Sequence, residues 1–376
     1  MKTPLSWRNA WHNKVRSLVA LCGIMFAILL IFMELGFYGA ARTNAIAVYD
    51  MLDFDVAVVS PECMYLGQLG DFPRHRFEEI RSIDGVESLS PLWLQVGRWR
   101  NSDTREDWDM LAIAVEPSER PFRDSALNGR LPEVAMHDRA LSDAVSRSEY
   151  GILTAGVGSE LVHHRIRIVG QFTMGAGFVA GSAIITSRQT FLDVFQEASH
   201  ERPNIGLVKI APGASPRKIA SEITAQMSPV ATALTRSDFL KNEQAFWLRV
   251  KPIGIMFKTG VLVAVVAGTV VLYQVLVAEV QTRLREYSTL KALGYHDRFV
   301  YSVVVRQGLI YSWLAFIPAF FLSLLLYLLV RMKALVPIRM DIGRVGAVIL
   351  LTSIMCLCAT LLSLRKLKTS DPADLF

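Results

Sequence analysis

Residues 259–278 read TGVLVAVVAGTVVLYQVLVA, a run of 20 residues without a charged side chain. A helix of that length rises about 30 Å, which matches the hydrocarbon core of a bilayer. The run therefore predicts a transmembrane helix. Three further runs of 20 to 22 residues have the same apolar character: Leu18–Phe37, Leu309–Val330 and Val345–Leu364. The first is too long for the apolar region of a signal peptide, so we interpret it as a retained helix.

One span lies near the N-terminus and three lie in the last third of the chain, with a polar stretch of over two hundred residues between them. This arrangement predicts four transmembrane helices with one large domain inserted between helices 1 and 2. The predicted segments are a head (1–17), helix 1 (18–40), the inserted domain (41–252), helix 2 (253–278), a connection (279–303), helix 3 (304–330), a short loop (331–344), helix 4 (345–364) and a tail (365–376).

The charge is divided unevenly between these regions. Residues 41–258 carry 24 Lys and Arg against 27 Asp and Glu, whereas the remainder carries 16 against 7. The basic character therefore belongs to the membrane part, and a basic nucleic-acid-binding face is not indicated.

Basic residues that flank a span tend to stay in the cytoplasm. Twelve lie in the head, between the apolar runs 259–278 and 309–330, and in the tail, against four in the 331–344 loop. The majority predicts cytoplasmic N- and C-termini, a multi-pass protein of the inner (plasma) membrane, and an extracytoplasmic inserted domain. The four basic residues of the loop oppose this orientation. Glu34 is the one charged residue within the spans, near enough to an end for its carboxylate to reach interfacial water.

The inserted domain is predicted to be α+β, with its own core. Predicted strands are 55–60, 110–115, 166–169 and 207–210, and predicted helices are 77–83 and 215–227, the latter with Ser215 as N-cap. Cys63 is its single cysteine, which excludes a disulfide within it.

No catalytic or metal-binding pattern stands out in this domain. His163 and His164 would point to opposite faces of a strand and lack a third ligand at zinc spacing. The acidic residues around Trp108 are interpreted as a solvated loop, because they lack the spacing of a calcium-binding loop. We predict no enzyme, no metal and no bound cofactor. A phosphate-binding loop is also missing from the sequence, so any ATP and Mg²⁺ would be bound by a separate ATPase chain.

Small residues mark one face of helix 2. Gly260, Ala264 and Gly268 recur every fourth residue, which allows another helix to approach closely. We predict a helix-packing or dimer interface there. Ala315, Ala319 and Ser323 repeat the pattern in helix 3.

The connection between helices 2 and 3 begins as an amphipathic helix. In residues 279–299, EVQTRLREYSTLKALGYHDRF, an apolar face is formed by Val280, Leu284 and Tyr287. Gly294 offers a left-handed helix end. Such a segment suits the transfer of movement from a cytoplasmic partner, although a solvated connection fits the same pattern.

Residues 285–295, REYSTLKALGY, resemble the signature of DevC-type permeases, a branch of the MacB/FtsX family of ABC transporter membrane subunits. Four other stretches agree with it: PLSWRN at 4–9, LDFD at 52–55, YQVL at 273–276 and DPADLF at 371–376. The resemblance covers essentially the whole chain. Ser288 stands where alanine is expected, and the basic 331–344 loop does not match.

The resemblance implies a homodimer with MacB-like extracytoplasmic domains, served by a dimer of DevA-like ABC ATPase subunits. It implies mechanotransmission to a DevB-like periplasmic adaptor and a TolC-like outer-membrane channel, for efflux of a lipid, glycolipid or other hydrophobic cargo, as in cyanobacterial systems. The implied ATPase-coupling residues are Arg283, Arg285, Glu286, Tyr287, Thr289, Leu290, Lys291, Ala292, Leu293, Gly294 and Tyr295.

Three alternatives stay open. The chain could be an FtsX-like regulator that activates a cell-wall hydrolase, or a lipoprotein-releasing permease with a non-identical partner permease. A membrane enzyme that acts alone ranks third.

Overall fold

The computed structural model describes residues 14–175, 177–196, 202–282 and 297–369. The chain divides into two compact units. The membrane unit consists of Met1–Ala40, Ile253–Ala334 and Ile338–Phe376, and the inserted unit consists of Ala41–Pro252 with Leu335–Pro337.

The described helices and strands are numbered here in chain order. The helices are α1 (Lys14–Ala45), α2 (Ala47–Asp50), α3 (Phe77–Arg81), α4 (Ser125–Arg130), α5 (Arg188–Val194), α6 (Pro216–Met227), α7 (Arg236–Ala245), α8 (Ile253–Thr282), α9 (Asp297–Ala334) and α10 (Ile342–Thr369). The strands are β1 (Val56–Val59), β2 (Val86–Arg100), β3 (Asp107–Val115), β4 (Arg139–Asp143), β5 (Gly158–Leu161), β6 (His164–Phe172), β7 (Ala183–Ser187), β8 (Ile205–Ile210) and β9 (Thr232–Thr235).

Four of the described helices are long and apolar enough to cross a membrane. The spans within them are Leu18–Ala45, Ile253–Thr282, Ser302–Ala334 and Ile342–Ser363. Except for Leu335–Pro337, the inserted unit follows the first of these helices in the sequence and precedes the other three. This confirms the predicted fold class, four transmembrane helices with a large mixed α/β domain between the first and second.

The core of the membrane unit contains small residues beside large ones such as Ile28 and Phe32, and other large apolar residues cover its outside. Ala264, Ala315 and Ala319 are buried, whereas Leu262 and Phe321 are more than 60% exposed. Close backbone approach and van der Waals contact hold helices together in lipid, where apolar side chains gain nothing from leaving the surface. The small residues predicted to mark helix-packing faces in α8 and α9 therefore lie at the centre of this unit.

The nine described strands of the inserted unit form one sheet in the order β3-β7-β4-β6-β5-β2-β8-β1-β9. The long strand β2 joins its two halves. Residues Val86–Leu92 of β2 pair with β8, and residues Leu92–Arg100 pair with β3. The predicted strands fall in β1, β3, β6 and β8, and the predicted helices correspond to α3 and α6. Ser215 is the N-cap residue of α6, although its side chain makes no capping hydrogen bond.

Two sequence-based interpretations are corrected by the structure. His163 does not lie on a strand, because Val162 and His163 have φ values of 50° and 66° and form the turn between β5 and β6. The acidic residues around Trp108 are not all in a loop, because Asp107 and Asp109 belong to β3. Their carboxylates lie 3.2 Å and 3.0 Å from side-chain nitrogens of Arg100 and Arg98 on β2.

Candidate functional site

The coupling segment predicted from the sequence lies outside the described residues. This applies to the whole set Arg283, Arg285, Glu286, Tyr287, Thr289, Leu290, Lys291, Ala292, Leu293, Gly294 and Tyr295. The structure does describe both helices that flank it, since α8 is described to Thr282 and α9 from Asp297.

A side-chain bond joins these two flanking helices next to the segment. The Tyr311 hydroxyl of α9 donates to the Glu279 carboxylate in the last turn of α8. Tyr311 is buried, so the bond is shielded from competition by water. The helices on either side of the coupling segment are therefore joined by a hydrogen bond in the last turn of α8.

The predicted small-residue face of α8 packs against other helices of the same chain. A Cβ at Gly260 would overlap the Glu34 carboxylate of α1. A Cβ at Gly268 would lie 2.8 Å from the Cβ of Ala27, and Ala264 between them is buried. The glycines permit this close approach because they lack a side chain. A dimer role for these three residues stays a prediction.

Inside the inserted unit, a buried carboxylate joins the segment where the chain enters to the segment where it leaves. Tyr49 lies in α2, near the start of the unit, and donates its hydroxyl to Glu243 of α7 at 3.4 Å. Trp247, near the end of the unit, donates its indole N–H to the same carboxylate at 2.9 Å. The Leu66 backbone N–H donates to both carboxylate oxygens, at 3.2 Å and 3.0 Å. We call Tyr49, Leu66, Glu243 and Trp247 the entry–exit cluster.

Two further polar contacts join the same two segments. Gln244 donates its side-chain amide to the Arg42 carbonyl at 3.2 Å, and the Arg236 guanidinium lies 3.1 Å from the Asp50 carboxylate. Exposed contacts of this kind contribute little each. Together with the buried Glu243 they hold α7 along the entering chain at several points.

The environment of Glu243 changes its acidity. Burial raises the pKa of Glu243 to about 7, although the hydrogen bonds from Leu66, Trp247 and Tyr49 favour the charged form and limit the rise. Burial together with the Glu243 charge raises the pKa of the Cys63 thiol to about 12. The same two causes raise the pKa of Tyr49 well above its usual range. Glu243 is therefore a carboxyl group that titrates close to neutral pH at a junction of the chain.

Aromatic rings surround the Trp247 end of the cluster. Tyr65 stacks on Phe246 with ring centroids 4.1 Å apart, and Phe178 stacks on Trp247 at 4.7 Å. Offset stacking of this kind stabilises a junction beyond simple burial. The rings come from the 60–70 loop, the π-helical turn at Phe246–Val250 and the glycine-rich stretch after β6.

A buried aspartate positions the glycine-rich stretch that presents Phe178. The Asp143 carboxylate accepts hydrogen bonds from the backbone N–H groups of Met174 at 3.0 Å and Gly175 at 2.8 Å. Gly175 has φ of +91°, a conformation that a side chain would strain. The ring of Phe178 thus reaches Trp247 from a stretch anchored at β4.

No pattern in the sequence predicts the entry–exit cluster. Glu243 stands in the polar segment KNEQAF, which is typical of a solvent-exposed helix face. Its burial depends on Tyr49, 194 residues away, and no local pattern encodes that contact. The spacing of Glu243 and Trp247, one helical turn apart, was the one available signal, and it is common in helices.

The comparisons with known proteins bear on both units. Residues 258–372 match the family model described as FtsX-like permease C-terminal. No curated protein matches the chain.

Solved structures of extracytoplasmic regions are similar to part of this chain. The periplasmic region of MacB from Actinobacillus actinomycetemcomitans is 8% identical and has a TM-score of 0.36, with 52% of this chain and 94% of that chain covered. The extracellular domain of the noncanonic ABC-type transporter YknZ from Gram-positive bacteria is 9% identical with a TM-score of 0.34, covering 49% and 99%. A domain of a permease protein from Porphyromonas gingivalis is 13% identical with a TM-score of 0.30, covering 49% and 90%.

Four apolar helices and a permease family match indicate an integral membrane protein. Residues 258–372 form an FtsX-like permease domain.

Proposed function

We propose that the chain is the membrane subunit of an ABC exporter of DevC/MacB type. In this proposal two copies form a homodimer, and a separate dimer of ATPase subunits binds at residues 283–295. ATP-driven closure of the ATPases moves the inserted units, which act on a periplasmic adaptor and a TolC-like channel. The cargo is a lipid, a glycolipid or another hydrophobic molecule.

One observation supports the proposal that movement passes from the ATPase to the inserted unit. The helix α8 connects, through the chain itself, the Trp247 end of the entry–exit cluster to the start of the coupling segment. At the coupling end α8 is bonded to α9 through Glu279 and Tyr311. The chain thus runs from the cluster directly into a helix that is bonded to α9 at its coupling end, and this continuity supports a lever between an ATPase and the inserted unit.

The chemistry of the coupling segment supports its assignment as the ATPase contact. Leu290 and Leu293 are apolar residues in a segment with basic and acidic neighbours, among them Arg285 and Glu286. In the proposal the leucines fill an apolar groove on the ATPase, and the charged residues make polar contacts around it. Buried apolar anchors with a polar rim are the usual arrangement of a stable protein interface.

The test is affinity purification of the tagged chain from its native membrane, followed by substitution of the leucines. We expect an ABC ATPase to co-purify with the wild-type chain and to be lost with Leu290→Asp combined with Leu293→Asp, together with export. The matched control is Met136→Asp with Ile152→Asp, two exposed apolar residues of the inserted unit, and it should retain the ATPase.

Full ATPase recovery with the Leu290→Asp/Leu293→Asp variant would show that the coupling assignment is wrong. Recovery of a cell-wall hydrolase in place of an adaptor would replace the exporter with a regulator. Recovery of a second, non-identical permease would favour release of lipid-anchored proteins.

A further inference from the structure

Three arginines gather on an uncovered face of the sheet in the inserted unit. Arg165 and Arg167 lie at alternate positions of β6 and are exposed, whereas Ile166 and Ile168 are fully buried on the opposite face. Arg139 of β4 is registered opposite Arg167. Residues paired across strands project to the same face of a sheet, so the three guanidinium groups share one surface. We call Arg139, Arg165 and Arg167 the arginine face.

Carboxylates close to the arginine face are engaged by other side chains. Glu160 is registered opposite Arg165, but its carboxylate lies 2.9 Å from the Nη1 of Arg100. The Asp138 carboxylate lies 2.6 Å from the Nε2 of His164. Among the residues that the structure describes, the ion pairs found include none made by the three arginines. The positive charge of this face is therefore not neutralised by these neighbours.

This arrangement does not serve the stability of the sheet. Like charges directly opposite each other on neighbouring strands are destabilising, and Arg139 and Arg167 are such a pair. It also opposes the charge of its surroundings, since residues 41–258 carry 24 basic and 27 acidic side chains. Because the arginine face lowers the stability of the sheet and differs in charge from the rest of the domain, it indicates a role in binding a negatively charged partner.

The arginine face borders a cavity that is partly lined by glycines. Arg165 and Arg167 line a cavity of about 330 Å³ together with Asp138, Gly156 and Gly158. A Cβ at Gly156 would meet no atom within 4 Å, and Gly156 has φ of +96°. The two glycines leave space beside the guanidinium groups for an incoming acidic side chain.

The pairing and residue spacing of β6 indicate what kind of ligand fits the arginine face. Strand β6 is paired on both sides, with β4 and β5, so a partner is recognised through side chains and not by adding a strand. Alternate residues of a strand are about 7 Å apart, and acidic residues at alternate positions of an extended peptide have the same spacing. Guanidinium groups bind carboxylates in a planar, bidentate manner, whereas lipid phosphates offer no fixed spacing.

We propose that the arginine face is a docking surface for an extended acidic segment of a partner protein, with carboxylates at alternate residues. The proposal rests on the geometry of the inserted unit and holds whether the chain works in an exporter or as a regulator.

The test uses the full chain in nanodiscs of zwitterionic lipid and a fluorescent ten-residue peptide of alternating Thr and Glu. Fluorescence anisotropy should show binding that weakens as salt is added, because exposed charges are screened. Arg165→Gln with Arg167→Gln should weaken binding at least tenfold. The matched control, Arg217→Gln with Lys218→Gln, removes two exposed positive charges from α6 and should leave binding unchanged.

Equal binding by the Arg165→Gln/Arg167→Gln variant and the wild type would overturn the proposal. So would equal binding of a peptide with its five Glu residues in one block, because the spacing argument would then fail. Binding to phosphatidylglycerol vesicles that depends on the two arginines, without binding of the peptide, would assign the face to a lipid surface instead. If the variant does not fold, a peptide with Gln in place of Glu must lose binding to the wild-type chain, or the proposal is wrong.

Discussion

Glu243 is a carboxyl group whose protonation is linked to the folding of the inserted unit. Burial raises the pKa of Glu243 to about 7 from its usual value of 4.5. The folded protein therefore binds this proton more tightly than the unfolded chain does. The resulting stabilisation is complete below a pH of about 4.5 and is lost as the pH rises to about 7. A shift of this size corresponds to about 3 kcal/mol.

We expect the wild-type chain to melt at a lower temperature at pH 8 than at pH 5, and Glu243→Gln to reduce that difference. The amide is neutral at both pH values, so it has no charge to desolvate. The measurement is thermal unfolding of the full chain in detergent, followed by tryptophan fluorescence. Glu87→Gln changes an exposed carboxylate and should keep the wild-type difference. An unchanged pH dependence in Glu243→Gln would mean that another group controls it.

The helices of the membrane unit depend on glycines at points of close approach. At Gly268 even a Cβ would lie 2.8 Å from the Ala27 Cβ and would overlap the Met355 sulfur. Methionine is flexible and can move, but the Ala27 Cβ is fixed to the backbone of α1. A larger side chain at this position must push α8 away from α1.

We predict that Gly268→Leu lowers the stability of the membrane unit by about 1–3 kcal/mol, the usual cost of overpacking. Gly346→Leu in α10 is the matched control, because a Cβ there meets no atom within 4 Å. Both can be compared by thermal melting in detergent and by the size of the complex. If Gly268→Leu melts like the wild type but falls apart into monomers, the residue acts at a dimer interface and the intrachain packing argument is wrong.

The elements differ in how far the sequence predicts them, and the reasons are physical. A span is decided by local composition, because 20 apolar residues match the bilayer wherever they occur. Strand β2 was not predicted, because it contains Pro91 and because its two halves pair with different strands, β8 and β3. Its pattern of burial therefore changes midway, and no single alternation describes it. The entry–exit cluster was missed for a related reason, since long-range contacts define it.

At the scale of the whole molecule, the basic loop between α9 and α10 is the one region whose charge opposes the predicted orientation in the membrane. Leu335–Pro337 belong to the same compact unit as the inserted domain. In the predicted topology this loop lies outside, against the tendency of basic residues to stay in the cytoplasm. The Arg344 guanidinium lies 5.6 Å from the Tyr327 ring centroid, and it donates to the Arg339 carbonyl. Because Arg344 is held by the ring and the carbonyl, it acts as an anchor at the membrane interface. Its positive charge is then weak evidence that the loop lies in the cytoplasm.

The topology can be measured by labelling single cysteines with a membrane-impermeant maleimide in spheroplasts. The four native cysteines are free and can be replaced, and Cys63 would in any case react slowly because its pKa is raised to about 12. We expect Asp103→Cys and Ile342→Cys, which are both exposed sites, to be labelled from outside. Lys291→Cys should be labelled only after the membrane is opened.

The combination of labels distinguishes the possible arrangements. If Ile342→Cys and Asp103→Cys are labelled on opposite sides, α8 and α9 do not both cross the membrane, and the four-span arrangement is wrong. If Lys291→Cys is labelled from outside, and Asp103→Cys and Ile342→Cys are labelled only after the membrane is opened, the inserted unit is cytoplasmic. It then cannot meet a periplasmic adaptor. Labelling as expected would place residues 283–295 in the cytoplasm, where an ATPase can bind them, and would leave the arginine face available to a partner outside.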